Sequence, residues 1–306
     1  MSCLVRRKNC RQNCRHWLRS LRAYSFGASL MPAALAAAIA LSLDQAPLWW
    51  TFAPYVIAAL LFHAGTNVLN DYYDYNNGLD RAEHGDPTHL LPRGEVTPRF
   101  MLVSGHLYFI LGISIGSLIG IVRGWEYVAL GIAAALGAYF YTSARFSFKY
   151  VALGDVAVFL LMGPALVAMG VWALAGSVPI DVVPVSVPMA LLVTAILHGN
   201  NLRDRVTDRA AGVRTLAGVM SSTAARWFFA ALVLLPYLVV LSLVADARLH
   251  PLTLIALFSA PLAWHLSRRV FDRDADLLRL PVECAGLHLL FSVLYVGSIV
   301  GAALWL

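Results

Sequence analysis

Charge is what this sequence has least of. Only 13% of its 306 residues are Asp, Glu, Lys or Arg, about half the ~25% that a soluble domain carries, which excludes an ordinary water-soluble globule. Lysine is scarcer still: Lys8 and Lys149 are the two lysines, and every other basic side chain is Arg. Strict apolar–polar alternation is missing, which excludes a transmembrane β-barrel. Cysteine is too sparse for a disulfide framework: Cys3, Cys10 and Cys14 lie in the N-terminal tail and Cys284 opens the last apolar run. Cys10, Cys14 and His16 have a spacing that matches no standard zinc pattern, so reduced thiols are expected.

What the chain has in abundance is apolar sequence, 59% of all residues. It falls into runs at 26–43, 48–69, 100–122, 125–142, 153–175, 182–199, 225–245, 251–267 and 285–306, each near the length needed to cross a hydrocarbon core of about 30 Å. The expected fold is therefore all-α and integral to the membrane, a bundle of nine transmembrane helices. Residues 1–25 form a basic tail and 26–306 the membrane domain. The tail followed by the Ala-rich run 33–40 resembles a signal peptide, but its basic region is too long and the apolar pattern continues, so an uncleaved first span is expected.

The net charge of +6 suggests nucleic acid in a soluble protein. Here it has a simpler source, because Lys and Arg collect in cytoplasmic loops. With the N-terminus in the cytoplasm and nine crossings, 21 of the 23 basic residues fall on the cytoplasmic side, leaving Arg123 and Arg248 outside. A bilayer of the bacterial inner-membrane type is the expected surroundings, and no nucleic-acid partner is expected.

Two cytoplasmic connections, about 70–99 and 200–224, are long for a compact bundle, and such loops tend to be functional. The first reads Asn67-Val-Leu-Asn70-Asp71-Tyr-Tyr-Asp74 and continues to Gly78 and Asp80; the second reads Asn201-Leu-Arg203-Asp204 and continues to Asp208, Gly212 and Arg214. A shift of 134 positions superposes Asn67 on Asn201, Asn70 on Asp204, Asp74 on Asp208 and Gly78 on Gly212. Residues i and i+4 share a helix face, so each motif is expected to offer two side-chain oxygens from the last turn of a span. Mg²⁺ takes one or two carboxylates together with phosphate oxygens. Two such faces across a cavity suit one allylic diphosphate bridged by Mg²⁺, with nearby cations stabilising the leaving group.

Asp-rich loops are often only solvated faces. Carboxylates abutting apolar helices are costly and mark function by default, and these recur at matched spacing on one membrane side. Lys149, Arg93, Arg203, Arg209 and Arg214 share that side as diphosphate partners or as ordinary topology charges. Asp155 is expected to pair with Lys149 or to cap its helix, and His63 and His198 are expected to be packed polar side chains. A cation transporter using the same four oxygens would place them near the midplane on broken helices, not at one face. A CDP-alcohol phosphotransferase needs an Asp-Gly-x-x-Ala-Arg run, and there is none.

At these residues the chain resembles the UbiA superfamily of membrane prenyltransferases, in particular the MenA branch that prenylates 1,4-dihydroxy-2-naphthoate. The likeness runs from Arg22-Ala-Tyr-Ser-Phe-Gly-Ala-Ser-Leu-Met-Pro32 through Asn70-Asp71-Tyr72-Tyr73-Asp74, Tyr141-Thr142, Lys149-Tyr150-Val-Ala-Leu-Gly154-Asp155 and Gly163-Pro164 to Asn200-Asn201-Leu-Arg203-Asp204, Asp208, Gly212 and Arg214-Thr215-Leu216. The resemblance implies a central cavity under cytoplasmic caps. It also implies Mg²⁺-dependent ionisation of a polyprenyl diphosphate and attack by an electron-rich aromatic acceptor. Carried over by position, Asn70, Asp74, Asp204 and Asp208 are metal and catalytic residues. Lys149 and Arg214 contact diphosphate, and Arg203, Asn67, Asn201, Asp71, Asp80 and Tyr141 support substrate binding. The chain departs from the branch after Gly163-Pro164, where Met169-Gly170-Val171-Trp172-Ala173-Leu174 replaces a Gly-Thr/Ser-Tyr-Tyr-like stretch.

Overall fold

A computed structural model describes residues 21–78, 90–143, 147–272 and 276–305. Asp80 and the tail before Leu21 lie outside the described residues.

The apolar runs become helices whose ends are set by local chemistry. The chain enters through a short 3₁₀ turn, Ala23–Phe26, into α1, Gly27–Leu41. A second 3₁₀ turn, Trp49–Thr51, leads into α2, Phe52–Asn76. Helix α3, Pro98–Ser117, starts where the Thr97 hydroxyl accepts from the Phe100 N–H, with Pro98 in the first turn, where its missing donor costs nothing. After α4, Trp125–Thr142, the chain turns through 147–153 into α5, Gly154–Leu160. A π-turn at Leu161–Ala165 joins α5 to α6, Leu166–Ala175. Pro164 cannot donate to the helical ladder, and Gly163 takes up the distortion at φ −111°, ψ −105°.

Helix α7, Val182–Arg203, runs through the middle of the bundle, packed on α10, α12 and the α5–α6 unit. Two short helices follow, α8 (Arg205–Ala210) and α9 (Leu216–Val219), and then α10, Ser222–Ala245, capped by the Ser221 hydroxyl on the Ala224 N–H. A 3₁₀ segment, Pro251–Ser259, continues into α11, Ala260–Arg269, and α12 closes the chain at Leu280–Trp305. The larger core lies on the α7 side: Met189 and Leu192 pack among Leu35, Val171, Phe229, Phe291 and Tyr295.

Each predicted apolar run is thus helical, and the protein spans the membrane several times. Among the described residues six helical stretches are long and apolar enough to cross alone: Trp49–Asn76, Pro98–Ser117, Gly154–Ala175, Val182–Arg203, Ser222–Ala245 and Leu280–Leu304. The other three predicted spans fall short for visible reasons. Helix α1 has 15 residues, α4 opens with Trp125-Glu126 and carries three tyrosines, and the 251–269 segment is half 3₁₀. The outer surface is oily: Val103, Leu107 and Ile110 point outward from successive turns of α3. Trp49, Trp50 and Trp125 are exposed at the end of the bundle opposite the acidic motifs, as interfacial aromatics are. Strands are absent among the described residues; a lone parallel bridge joins Val151 to Arg214.

Candidate functional site

The first motif lies on one face of α2. His63, Asn67, Asn70 and Asp74 follow one another at spacings of four, three and four, so their side chains form a polar stripe on an otherwise apolar helix. Asp74 is buried, and every contact it makes is to a polar partner. Asn70 Nδ2 donates to its Oδ2 at 2.8 Å, Lys149 Nζ to the same oxygen at 2.6 Å, and the Tyr150 hydroxyl to its Oδ1 at 2.7 Å. Lys149 also reaches Asn70 Oδ1 at 3.1 Å, an oxygen that accepts from Thr142 at 3.3 Å. The lysine singled out by its rarity is therefore the counter-ion of the first motif. Tyr150 and Thr142 carry no charge or helical spacing relative to α2, so pattern reading alone missed their contacts.

The second motif differs from expectation. Rather than offering both oxygens from one terminal turn, it straddles a break: α7 ends at Arg203, Asp204 sits at φ −91°, ψ 5°, and Asp208 lies on the separate α8. Side chains across the fold hold α8 in place. Arg205 donates to the Ala217 and Met220 carbonyls at 2.9 and 2.7 Å, and Arg209 to the Gly218 carbonyl at 2.6 Å. Those carbonyls belong to α9 and its C-cap, where orphan acceptors await donors. Arg203 grips Asp204 bidentately at 2.7 and 2.6 Å. The matched glycines do share a role: Gly78 (φ 73°) and Gly212 (φ 77°) both take the left-handed conformation that stops a helix.

Both motifs line a single cavity of about 1390 Å³, larger than the ~300–1,000 Å³ of pockets that hold one small ligand. Asn67, Asn70, Asp74, Tyr141, Lys149, Asn201, Arg203, Asp204 and Asp208 all face it. Below this polar end the walls turn apolar, with Phe62, Ile113, Met162, Met169 and Leu197 among them. Burial pushes the Asp208 carboxyl up to about 6; Lys149 opposes that rise, while Asp204 and Asp74 reinforce it. The two halves are thus within electrostatic reach of each other.

Three expected residues lie elsewhere. Asp71 points away from the cavity and is buried against Arg22, at 2.5 Å from its Nη2. Arg214 is exposed, outside the cavity wall, and contributes its backbone to the bridge with Val151. Asp80 lies outside the described residues. The expected role of Asp155 is corrected: it neither pairs with Lys149 nor caps α5 through its side chain. It accepts from His198 Nδ1 at 2.7 Å and from Asn201 Nδ2 at 3.5 Å, while His198 Nε2 meets the Ala225 carbonyl at 3.0 Å. Asn70 and Asp74 attract Lys149 instead.

Among the described residues no three His, Cys, Asp or Glu side chains converge into a metal cage. The donors come as two facing pairs, all oxygen, which excludes a thiolate or imidazole zinc site. The arrangement fits Mg²⁺, which binds through few protein carboxylates and completes its shell with phosphate oxygens and water.

A helical protein that crosses the membrane repeatedly, with facing acids and cations at one end of an otherwise oily cavity, is built to hold an anionic head group on an apolar tail. The UbiA prenyltransferase family profile matches residues 29–279, and the chain belongs to that family. UbiA prenyltransferase domain-containing protein 1 of Xenopus tropicalis is 33% identical over 301 residues, 95% of this chain and 83% of that protein. Its Homo sapiens counterpart is 32% identical, over 95% and 85% of the two chains. Among solved structures, a UbiA homolog from Archaeoglobus fulgidus bound to DMAPP and Mg²⁺ superposes with a TM-score of 0.65 at 16% identity, covering 93% of this chain and 99% of that one. The apo UbiA homolog of Aeropyrum pernix K1 gives a TM-score of 0.70 at 14% identity over 93% and 99%. The sequence relatives place the chain among UbiA-type prenyltransferases, and the solved structures share its fold.

Proposed function

We propose that this chain transfers a polyprenyl group from an allylic diphosphate to 1,4-dihydroxy-2-naphthoate, with Mg²⁺ as the metal. The observation that carries the reading is the meeting of Asn70 and Asp74 with Asp204 and Asp208 along one cavity that also presents Lys149 and Arg203. The acceptor rests on the branch resemblance of the sequence. The metal and the allylic diphosphate draw further support from the archaeal homolog described with DMAPP and Mg²⁺.

In this reading Asn70, Asp74, Asp204 and Asp208 hold Mg²⁺. Bound there, the metal neutralises the diphosphate and lets it leave as an anion. Lys149 and Arg203, each already held by an acid, turn their remaining N–H groups to the diphosphate oxygens. Tyr150 keeps the Asp74 carboxylate in orientation from behind. Tyr141 and the apolar walls keep water from the allylic cation, which would otherwise be quenched to an alcohol. Asn67 and Asn201 extend the polar rim on either side.

We place nine crossings in a bacterial inner membrane, with the N-terminus and the mouth of the cavity facing the cytoplasm. The distribution of 21 of 23 basic residues supports this placement. A different quinone-precursor acceptor is the second reading. It is favoured by Met169, which faces the cavity within the stretch where the sequence departs from the branch. Purified protein incubated with geranylgeranyl diphosphate and a panel of aromatic acceptors, with and without Mg²⁺, tests both. Failure to consume the diphosphate in a Mg²⁺-dependent way would sink the enzyme assignment; preference for another acceptor would overturn only the naphthoate.

A further inference from the structure

Two turns of α2 deeper than Asn70, the polar stripe meets α1. There His63 is held between two serines: Ser25 Oγ lies 3.0 Å from Nε2 and Ser29 Oγ 2.7 Å from Nδ1. Phe26 packs edge-on against the ring. Ser25, Ser29, His63 and Asn67 all face the cavity, and none has a part in holding diphosphate. Seven residues of helix separate His63 from Asn70, about 10 Å along the axis. That is about the offset a ring needs when its attacking carbon meets C1 of a prenyl chain whose diphosphate sits at Asn70 and Asp74.

The hydrogen bonds fix where the protons are. Ser25 has one hydroxyl hydrogen and donates it to the Arg22 carbonyl at 2.8 Å. Its oxygen accepts from Asn67 Nδ2 at 3.4 Å and therefore also accepts at His63, so Nε2 carries the hydrogen. Nδ1 of the neutral ring is then the acceptor, and Ser29 donates to it. A ligand hydroxyl reaching Ser29 Oγ meets an oxygen with a free lone pair, backed by a base.

We propose that Ser29 and His63 form the seat and proton acceptor for the ring hydroxyl of the aromatic acceptor, a reading that rests on the prenyl-transfer assignment above. As the prenyl C1–O bond breaks and its electron pair leaves with the diphosphate, the ring carbon beside the hydroxyl forms the new C–C bond. The O–H proton passes to Ser29 Oγ while the Ser29 proton passes to His63 Nδ1, leaving a neutral dienone. The ring carbon then loses its own substituent, a proton to water or a carboxylate as CO₂. The oxygen takes its proton back through Ser29, restoring both side chains. Ser29 is the residue that touches the acceptor; His63 acts through it.

The test uses Ser29→Ala and His63→Phe in detergent-purified protein. It measures Mg²⁺-dependent binding of geranylgeranyl diphosphate, and transfer to two probes: 1-naphthol, and a ring-fluorinated naphthol already ionised at the assay pH. The expected result is diphosphate affinity within about twofold of wild type. Transfer to 1-naphthol falls by roughly 30-fold or more, and transfer to the ionised probe by less than about threefold. Unchanged transfer to 1-naphthol overturns the proposal, as does an equal loss on both probes with diphosphate binding intact. If His63→Phe does not fold, Ser29→Ala, which removes a single hydroxyl, decides alone. If wild-type protein binds no prenyl diphosphate with Mg²⁺, the transferase reading itself fails, a result separable from either outcome above.

Discussion

Lys149 and a divalent cation compete for the same oxygen, and the competition has a sign that can be measured. The ammonium sits 2.6 Å from Asp74 Oδ2, with side-chain exposures of 17% for the lysine and 8% for the aspartate, so solvent screens the pair only partly. Unit charges 4 Å apart attract by about 4 kcal/mol at an effective dielectric near 20. Relaxation and partial protonation of a lone carboxylate take back part of that, and measured couplings of close charge pairs begin at about 1.5 kcal/mol. Lys149→Met removes both the competitor for Asp74 and a charge that repels the metal. Mg²⁺ added without diphosphate should therefore bind the variant more tightly, by about 1.5–3 kcal/mol or roughly 10–150-fold. With Mg²⁺ saturating, prenyl diphosphate should bind more weakly, because one of its cations is gone. Calorimetric titration of detergent-purified protein with MgCl₂, and then with geranylgeranyl diphosphate, reads both. If Mg²⁺ alone binds the variant no tighter than wild type, Asp74 is not where the metal goes, and the placement of the site is wrong.

Asp74→Asn and Asp208→Asn should each reduce prenyl transfer by at least about 10³-fold, with unchanged elution on size exclusion and unchanged helical circular dichroism; activity retained at saturating Mg²⁺ removes that residue from the ligand set. His198→Phe strands Asp155, 2% exposed, without its partner and should cost about 3–5 kcal/mol in reversible unfolding; adding Asp155→Asn should recover part of it. Gly163→Ala would place a Cβ 2.2 Å from Ala190 Cβ and 3.1 Å from its Cα, an overlap with backbone that side-chain rotation cannot relieve. It should destabilise by about 1–3 kcal/mol or more, and Ala190→Gly in the same chain should restore the thermal midpoint.

Much of this fold is legible because membrane spans obey length and hydropathy, and the apolar runs landed on helices. The first motif is legible for a related reason: Asn70 and Asp74 are four apart on a helix that continues past them, so spacing alone puts them side by side. The same inference failed at Asp204 and Asp208 because nothing in Arg203-Asp204-Arg205 forbids a helix. The break there comes with tertiary contacts, Arg205 and Arg209 reaching the carbonyls of α9, and contacts of that kind have no local signature. Asp155 illustrates the same limit. Six residues separate it from Lys149, so proximity favoured that pair, yet it bonds His198, 43 residues away. Tyr150 and Asp74, 76 residues apart, stand even further beyond the reach of periodicity.

The break after Arg203 makes the two grips on the substrate mechanically unequal. One is machined into a single unbroken 25-residue helix; the other hangs on a six-residue helix fastened by guanidinium straps. Such a vice has a fixed jaw and an adjustable one, and adjustment falls to the second, which can shift with α9 as a unit while Asn70 and Asp74 stay put. Head groups of slightly different bulk can then be clamped without disturbing the lysine–tyrosine cradle that sets the reacting bond in place.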